Sequence, residues 1–405
     1  MTLAAHLAAH QAIDHNSLSI ILKEFSTELR AKIDNLPDNL NDSYKTFYIP
    51  KRKGRGFRRI DAPSKELKSI QKEISEILDD ATSGTSIYAH AFGFIKGRSI
   101  GDNVIRHSRI NIWNRRDFNS IKKKVCNKNY WFLDTPNKGA IKKAQLLTKD
   151  QSFTQYIRTR GTKSAVRIDI KNAFGSTDKW MLESCIKNHF KIHQEDLGRI
   201  LKACLLDNCL PQGSPSSPIL LNIVLSDLDH YSSNLIYAKL GKRFKVGYKY
   251  SRYADDITVT CDNTKYAKYA IPIVYGVLRS FGYEPNKNKT MVMSAKNGIF
   301  VNGINIVNSI HHVSVTKRNR NKIRAIINNI AIIDYKDRNR NQIESLKGKI
   351  SHVMHFDRLH GLKLMKYAID RKVFPSRVQI NKVQINDDIA EWIQKCSSNR
   401  ANIFN

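Results

Sequence analysis

Two alternating runs meet at Tyr253-Ala254-Asp255-Asp256, and that junction restricts the folding of this 405-residue chain more than any other stretch. Before it, Phe244, Val246, Tyr248 and Tyr250 fall on one face and Lys245, Gly247 and Lys249 on the other; after it, Ile257, Val259 and Cys261 resume the alternation. A period of two on both sides of a short polar break predicts a β-hairpin with the acidic pair at its tip. A further strand is predicted at Val166-Arg167-Ile168-Asp169-Ile170, where Val166, Ile168 and Ile170 take the buried face. Asp169 then points to the opposite, wet side.

Carboxylates gathered in this way suit one kind of chemistry. In-line attack on a phosphoryl group collects negative charge on the attacking and leaving oxygens, and two Mg²⁺ ions about 3.5–4 Å apart stabilise both. Mg²⁺ prefers hard oxygen ligands, one or two of them protein carboxylates; Mn²⁺ is a possible substitute. An isolated Asp-Asp pair after a strand is usually an ordinary solvated turn, so the rest of the chain decides.

Six segments do so, in order. Lys51 to Ile74 reads K-R-K-G-R-G-F-R-R-I-D-A-P-S-K-E-L-K-S-I-Q-K-E-I; Gly93-Phe94-Ile95-Lys96-Gly97-Arg98-Ser99-Ile100 is followed by Asn103 and His107. Then come Asp169 to Phe174, Leu210-Pro211-Gln212-Gly213-Ser214-Pro215-Ser216-Ser217-Pro218, Tyr253 to Asp256, and Asn286-Lys287-Asn288-Lys289-Thr290. The series resembles the reverse transcriptases, specifically the bacterial retron and defence-associated group, over most of the chain from Lys51 to Asp357. The resemblance implies an α+β right-hand polymerase with fingers, an antiparallel palm sheet and a helical thumb. It implies Asp169, Ile170, Asp255 and Asp256 as metal ligands, with the three aspartates catalytic. Phe174 is implied beneath the sugar of the incoming nucleotide, where its ring would collide with a ribose 2′-OH; the alternative is a core phenylalanine. Gln212 and Gly213 resemble the loop that approaches the templating base pair. Lys289 is a candidate general acid for the departing pyrophosphate, or a counter-charge to the aspartates. Arg58 and Arg59, on a basic hairpin with Lys51 and Lys53, are candidate contacts to the incoming triphosphate.

Composition agrees. Lys and Arg total 68 against 36 Asp and Glu, a formal +32, which implies a polyanionic partner, nucleic acid first. Hydrophobic residues make up 41%, enough for a globular core. No apolar stretch approaches ~18 residues and the N-terminus lacks a charged-then-apolar leader pattern, so a cytoplasmic protein without membrane attachment is expected. Cys126, Cys185, Cys204, Cys209, Cys261 and Cys396 show no metal or disulfide spacing and read as reduced, mostly buried thiols. His6, His10 and His15 read as an exposed helix face, and His311, His312, His352 and His355 equally as non-ligands.

The expected organisation is an N-terminal helical region at 1–47, fingers at 48–107, an insertion at 108–165, palm at 166–312, and thumb with tail at 313–405. Leu18, Ile20, Ile21, Leu22 and Phe25 suggest a helix face. Ser64 is expected to cap a helix with the stripe Leu67, Ile70, Ile74, Ile77 and Leu78, and Ser217-Pro218 to be N-cap and N1 of another with Leu221, Val224, Leu225 and Leu228. Val301 to Ile306 corresponds to a strand, Asn302 standing where retron enzymes write threonine. In the thumb, from about Thr316, Ile323, Ile326, Ile327 and Ile330 form a stripe that leaves Arg318, Arg320, Lys322 and Arg324 for a duplex backbone. A second stripe is Ile343, Leu346, Ile350 and Val353.

The insertion departs from the resemblance by roughly fifty residues, well beyond ordinary loop length. Trp113, Tyr130, Trp131 and Phe132 stand there among Arg115, Arg116 and several lysines, a mixture that suits stacking and backbone contacts to single-stranded nucleic acid, a small core, or a protein contact. The tail after about residue 370 is too short for a nuclease domain.

The resemblance further implies copying of a structured non-coding RNA, as template and primer, into a cDNA product from dNTPs, in anti-phage defence, with an effector protein or a second copy of the chain as possible partner. A mobile-element enzyme of the group II intron kind and a non-catalytic RNA-binding scaffold are the alternatives.

Overall fold

The computed structural model describes residues 20–51, 56–112, 158–306, 315–334 and 337–374. Leu18, Lys53, Trp113, Arg115, Arg116, Cys126, Tyr130, Trp131, Phe132, Cys396 and His6, His10, His15, His311 and His312 lie outside them. The chain divides into two compact units between Ser294 and Ala295.

The first unit begins with β1 (Ile20–Ile21), α1 (Thr27–Asp34), β2 (Tyr44–Pro50), β3 (Phe57–Pro63), α2 (Lys65–Thr82), α3 (Ile100–Ser108), β4 (Arg109–Ile112), β5 (Arg158–Gly161) and β6 (Ser164–Asp169). It continues through α4 (Lys179–His189), β7 (Phe190–Lys191), α5 (Gln194–Cys204), α6 (Ser217–Ile236), β8 (Tyr248–Tyr253), β9 (Asp256–Cys261), α7 (Ala270–Ser280) and β10 (Met291–Ser294). Its central sheet has the order β10-β6-β9-β8, antiparallel throughout.

The period of two sorts this sheet as the sequence predicts on one side. Val166, Ile168, Ile257 and Val259 are fully buried and join α6 and α7 in the core. The other side is wet only at one end. Helix α3 covers the rest: Asn103 and His107, one turn apart, reach into the sheet, with His107 Nδ1 2.8 Å from Thr260 Oγ1 and Nε2 2.6 Å from Ser251 Oγ. Ser251 in turn donates to Asn103 Oδ1 at 2.6 Å. Burial holds His107 well below its ordinary pKa, so it is a neutral hydrogen-bonding group. Ser251, Thr258 and Thr260 are therefore buried, and so is Asp169 itself; the expected wet face is reduced to a half-buried end at Asp255 and Asp256.

Helix α2 follows its stripe. Ser64 Oγ accepts from Leu67 N at 3.3 Å, and Leu67, Ile70, Ile74 and Leu78 are buried, with Ile77 partly so. Each such side chain contributes about 1.5–3 kcal/mol. Gln71 interrupts the stripe without cost because its amide is fully used: Nε2 donates to Tyr44 Oη and the Ala203 carbonyl, and Oε1 accepts from Ser214 Oγ.

Several local expectations are corrected. Ile20–Ile21 form a strand parallel to Phe190–Lys191, not a helix face; the helix starts at Thr27, capped by Ser26. Strand β8 begins at Tyr248, because a π-helical segment Tyr237–Arg243 runs into Lys245 at φ 54°, leaving Phe244 and Val246 outside the ladder. The N-cap of α6 is Ser216, and Ser217 Oγ donates instead to the Pro211 carbonyl at 2.7 Å. The stripe of α6 is real but incomplete as a description, since nearly every residue from Ser217 to Asp229 is buried. The insertion springs from a two-stranded stem in which Arg109 pairs with Gly161 and Ile112 with Arg158.

The second unit contains a hairpin of β11 (Phe300–Val301) and β12 (Ile304–Asn305), then α8 (Lys317–Ile332), α9 (Arg340–Phe356) and α10 (Arg358–Asp370). The segment expected as one strand is thus two, because Asn302 at φ 48° and Gly303 at φ 82° make the two-residue turn that suits a hairpin. Thr316 caps α8, whose Ile323, Ile327 and Ile330 are buried with Ile326 half-buried; Leu346, Ile350 and Val353 do the same for α9. Asp357 caps α10 and binds His360 Nδ1 at 2.8 Å. No helix among the described residues is long and apolar enough to cross a membrane.

Candidate active site

Strand register alone brings two of the three aspartates together. Asp169 ends β6, Asp256 begins β9, and the two are paired positions of the antiparallel ladder, so their side chains leave the same face. Asp255 precedes Asp256 in the turn, and its carbonyl accepts from Ile170 N at 2.9 Å, tying the hairpin tip to the end of β6. Ile170 has only its backbone carbonyl to offer a cation. Asn286 N donates to the Asp169 carbonyl at 2.8 Å and Lys171 N to that of Glu284, which fastens the Asn286–Thr290 segment beside them.

Among the described residues, Lys289 and Arg167 approach this acidic group within 4 Å. Lys289 Nζ lies 2.8 Å from Asp169 Oδ1 and 3.0 Å from Oδ2. Arg167, two residues before Asp169 and on the same face of β6, lies 3.8 Å from Asp256 Oδ1. Sequence reading passed over Arg167; its parity with Asp169 was the available signal. Burial raises the Asp256 carboxyl to about 6, against the pull of Arg167 and with the repulsion of Asp255 and Asp169. Asp255 is raised by burial and then by Asp169, while Lys289 and Arg58 act to lower it. Crowded carboxylates that resist ionisation call for positive charge. Three hard oxygen donors, with neither thiolate nor imidazole among them, fit a hard divalent cation such as Mg²⁺ or Mn²⁺.

Arg58 and Arg59 separate because successive strand residues face opposite ways. Arg58 acts electrostatically on Asp255. Arg59 turns elsewhere: its Nε donates to Asp61 at 2.8 Å and its Nη2 lies 3.8 Å from Asp207. Asp61 also accepts from Thr46 Oγ1 at 2.7 Å, and its amide donates to the Gln212 carbonyl at 2.9 Å. The hairpin base therefore rests on the Gln212-Gly213 loop, so closely that a Cβ on Gly213 would meet the Asp61 carbonyl oxygen at 2.5 Å. Gln212 and Phe174 are both half-buried, and the Phe174 ring packs on the edge of the core.

Of the proposed duplex contacts, Arg318, Lys322 and Arg324 are exposed on α8. Arg320 is turned inward, donating to the Val315 carbonyl at 2.6 Å and lying 4.0 Å from Asp357.

A second group with ligand chemistry, Cys185, His189 and Asp227, has donor atoms within 4.8 Å of one another. Its members already bond within the core: His189 Nε2 bonds Asp227 Oδ1 at 2.9 Å, Cys185 Sγ donates to the Ile223 carbonyl, and burial drives the thiol well above its ordinary pKa. The other described cysteines, Cys204, Cys209 and Cys261, are free as expected, the first and last pushed up to about 12 by burial.

Residues 49–316 match the family model described as reverse transcriptase (RNA-dependent DNA polymerase). The retron Mx65 reverse transcriptase of Myxococcus xanthus is 25% identical over 284 residues, which are 70% of this chain and 55% of that protein. The retron Ec73 reverse transcriptase of Escherichia coli is 25% identical over 284 residues, 69% of this chain and 73% of the relative. This chain thus spans about half the length of the first and about three quarters of the second. Among solved structures, telomerase from Candida albicans in complex with a fragment of telomeric RNA aligns with a TM-score of 0.39 and 13% identity, covering 97% of this chain and 68% of that one.

Proposed function

Because this chain belongs to the reverse transcriptase (RNA-dependent DNA polymerase) family, we propose that it copies an RNA template into DNA, using Asp169, Asp255 and Asp256 for nucleotidyl transfer. The single observation that carries the proposal is the pairing of Asp169 with Asp256 across the ladder, with Asp255 at its tip. A scaffold that had lost catalysis would have no use for three carboxylates brought together where burial, and then their mutual repulsion, raises Asp255 and Asp256.

Asp169, Asp255, Asp256 and the Ile170 carbonyl would hold two Mg²⁺ ions, which when bound would supply charge neutralisation at the attacking and leaving oxygens. The chain's own residues do the rest. Arg58 directs its charge toward Asp255 and is placed for the triphosphate, whereas Arg59 holds Asp61 and the hairpin base. Gly213 lets the loop pack against the hairpin base and Phe174 limits the space for a 2′-OH. Lys289 is placed to neutralise Asp169, and to deliver a proton to pyrophosphate once nucleotide displaces it. Arg318, Lys322 and Arg324 add backbone contacts to the duplex.

The likeness to retron enzymes supports the finer reading: a cytoplasmic protein that copies a dedicated structured RNA into cDNA in anti-phage defence, the insertion at 108–165 gripping that RNA and an effector or a second copy completing the assembly. The test is to purify the protein from cells, sequence the RNA and DNA that accompany it, and extend a DNA primer on an RNA template with Mg²⁺. One recurrent RNA, its complementary DNA and primer extension are expected. Absence of any DNA synthesis overturns the polymerase, and a random RNA population overturns the dedicated template.

A further inference from the structure

The turn that carries Asp255 and Asp256 does not hold its shape by itself. Ala254, at its tip, has φ 57°, a left-handed conformation that is unfavourable for a residue with a Cβ. Such a residue persists where its surroundings over-determine it. Here it is gripped from two sides.

From below, the guanidinium of Arg252 donates through Nη1 to the Ala254 carbonyl at 2.9 Å. Arg252 is fully buried, and Asp229 on α6 fixes it: Nε lies 3.0 and 2.9 Å from the two carboxylate oxygens and Nη2 2.9 Å from Oδ2. Tyr250 Oη donates to the same carboxylate at 2.8 Å. From above, the segment 90–93 lies along β8, with Arg252 N donating to the His90 carbonyl and Phe92 N to the Arg252 carbonyl, each at 2.8 Å. Gly93 touches the turn so closely that a Cβ there would stand 2.5 Å from Ala254 N. Asn222 joins the two grips, its Oδ1 accepting from Arg252 Nη1 at 2.8 Å and its Nδ2 donating to the Gly93 carbonyl at 2.8 Å.

We propose that Arg252, seated on Asp229 and bridged to Gly93 by Asn222, is the positioning residue of the acidic turn, setting Asp255 and Asp256 relative to Asp169 so that together they bind a divalent cation. The inference rests on the metal-binding reading of the three aspartates. A flat, multiply bonded guanidinium suits this task because it can serve a carboxylate and a carbonyl together in fixed geometry, which an ammonium group cannot.

The test is Mn²⁺ binding, measured by electron paramagnetic resonance on wild type, Arg252→Lys and Asn222→Ala, with thermal unfolding of each. Arg252→Lys keeps the charge opposite Asp229 and loses the tether to Ala254; Asn222→Ala keeps the ion pair and cuts the bridge, so a folded protein is available even if one variant is not. Both are expected to melt cooperatively yet bind Mn²⁺ at least tenfold more weakly. Arg199→Lys, which alters the pairs with Asp34 and Asp196 on α1 and α5, is expected to leave Mn²⁺ binding unchanged. Wild-type Mn²⁺ affinity in a folded variant, whatever its melting temperature, reduces Arg252 to a structural ion pair and overturns the proposal. If wild type itself binds no Mn²⁺, and Asp255→Asn changes nothing, the metal reading of the aspartates fails with it.

Discussion

Lys289 Nζ sits between the two carboxylate oxygens of Asp169, 2.8 Å from one and 3.0 Å from the other. This lysine brings positive charge to the carboxylate at which the proposed mechanism would also place a cation. Under the proposed mechanism a cation and Lys289 would share this one carboxylate, and Lys289 would turn toward phosphate as the cation binds.

Replacement of Lys289 by Met separates its two roles. Loss of the competing charge should leave Mg²⁺ affinity equal to wild type or higher, while loss of a proton donor should lower the single-turnover incorporation rate by about 10²-fold or more. Rapid-quench kinetics across a Mg²⁺ titration reads both quantities. A rate restored to wild type at saturating Mg²⁺ would leave Lys289 a counter-charge alone.

Asp256 gives the site a pH dependence whose sign follows from its raised pKa. The folded chain retains a proton there up to about pH 6, whereas the unfolded carboxyl ionises near 3.8. Protonation is thus favoured by folding, so this group's contribution to metal-free stability falls as pH rises from about 4 to about 6 and is level above that. Metal binding needs the ionised form, so Mg²⁺ affinity should decline as pH drops below about 6. Removing the opposing guanidinium in Arg167→Met should move that acid limb upward by about one unit. Mg²⁺ midpoints between pH 5 and 8 measure the limb, and an unmoved limb in Arg167→Met would contradict the assignment of Arg167 to Asp256.

The acidic hairpin and its partner strand were legible because both rest on a period of two, which survives in any tertiary setting with one buried face. Stripes on α2, α8 and α9 were legible for the matching helical reason. What escaped is non-local. Ile20–Ile21 read as helix because nothing nearby announces a parallel partner at Phe190–Lys191. The ladder was begun too early, at Phe244, because alternation continues through residues that a π-helical turn removes from it. Arg252 and Asp229 lie 23 positions apart on a strand and a helix; a buried ion pair of that kind leaves no periodic trace. Arg58 and Arg59 looked equivalent in sequence, and only the strand's alternation against its neighbours tells them apart.

Phe174 packs half-buried at the rim of the core, where trimming it need not unfold the protein. Phe174→Ala should raise ribonucleotide relative to deoxynucleotide incorporation by about tenfold or more, equivalent to about 1.4 kcal/mol of lost discrimination. Competition between the two on one primed template reads the ratio. An unchanged ratio with a lowered melting temperature returns Phe174 to a packing role.

For the insertion, whose stem is the β4–β5 ladder, the expectation concerns RNA choice. Stacking on one ring is worth about 1–3 kcal/mol per base, so changing Trp113, Arg115 and Arg116 together to Ala should weaken cognate RNA binding by about tenfold or more while extension on a generic RNA template stays near wild type. Filter binding and primer extension on the same preparation separate these. Equal loss of both would make the insertion part of the polymerase framework.

The central claim is that three aspartates perform nucleotidyl transfer on a surface that binds RNA independently of them. Its most direct test is primer extension and RNA binding by the Asp255→Ala/Asp256→Ala double variant. The account predicts no detectable incorporation with RNA affinity within about threefold of wild type, because basic-surface contacts to phosphate supply most of that affinity. Nucleotide incorporation at the wild-type rate by the folded variant would contradict it.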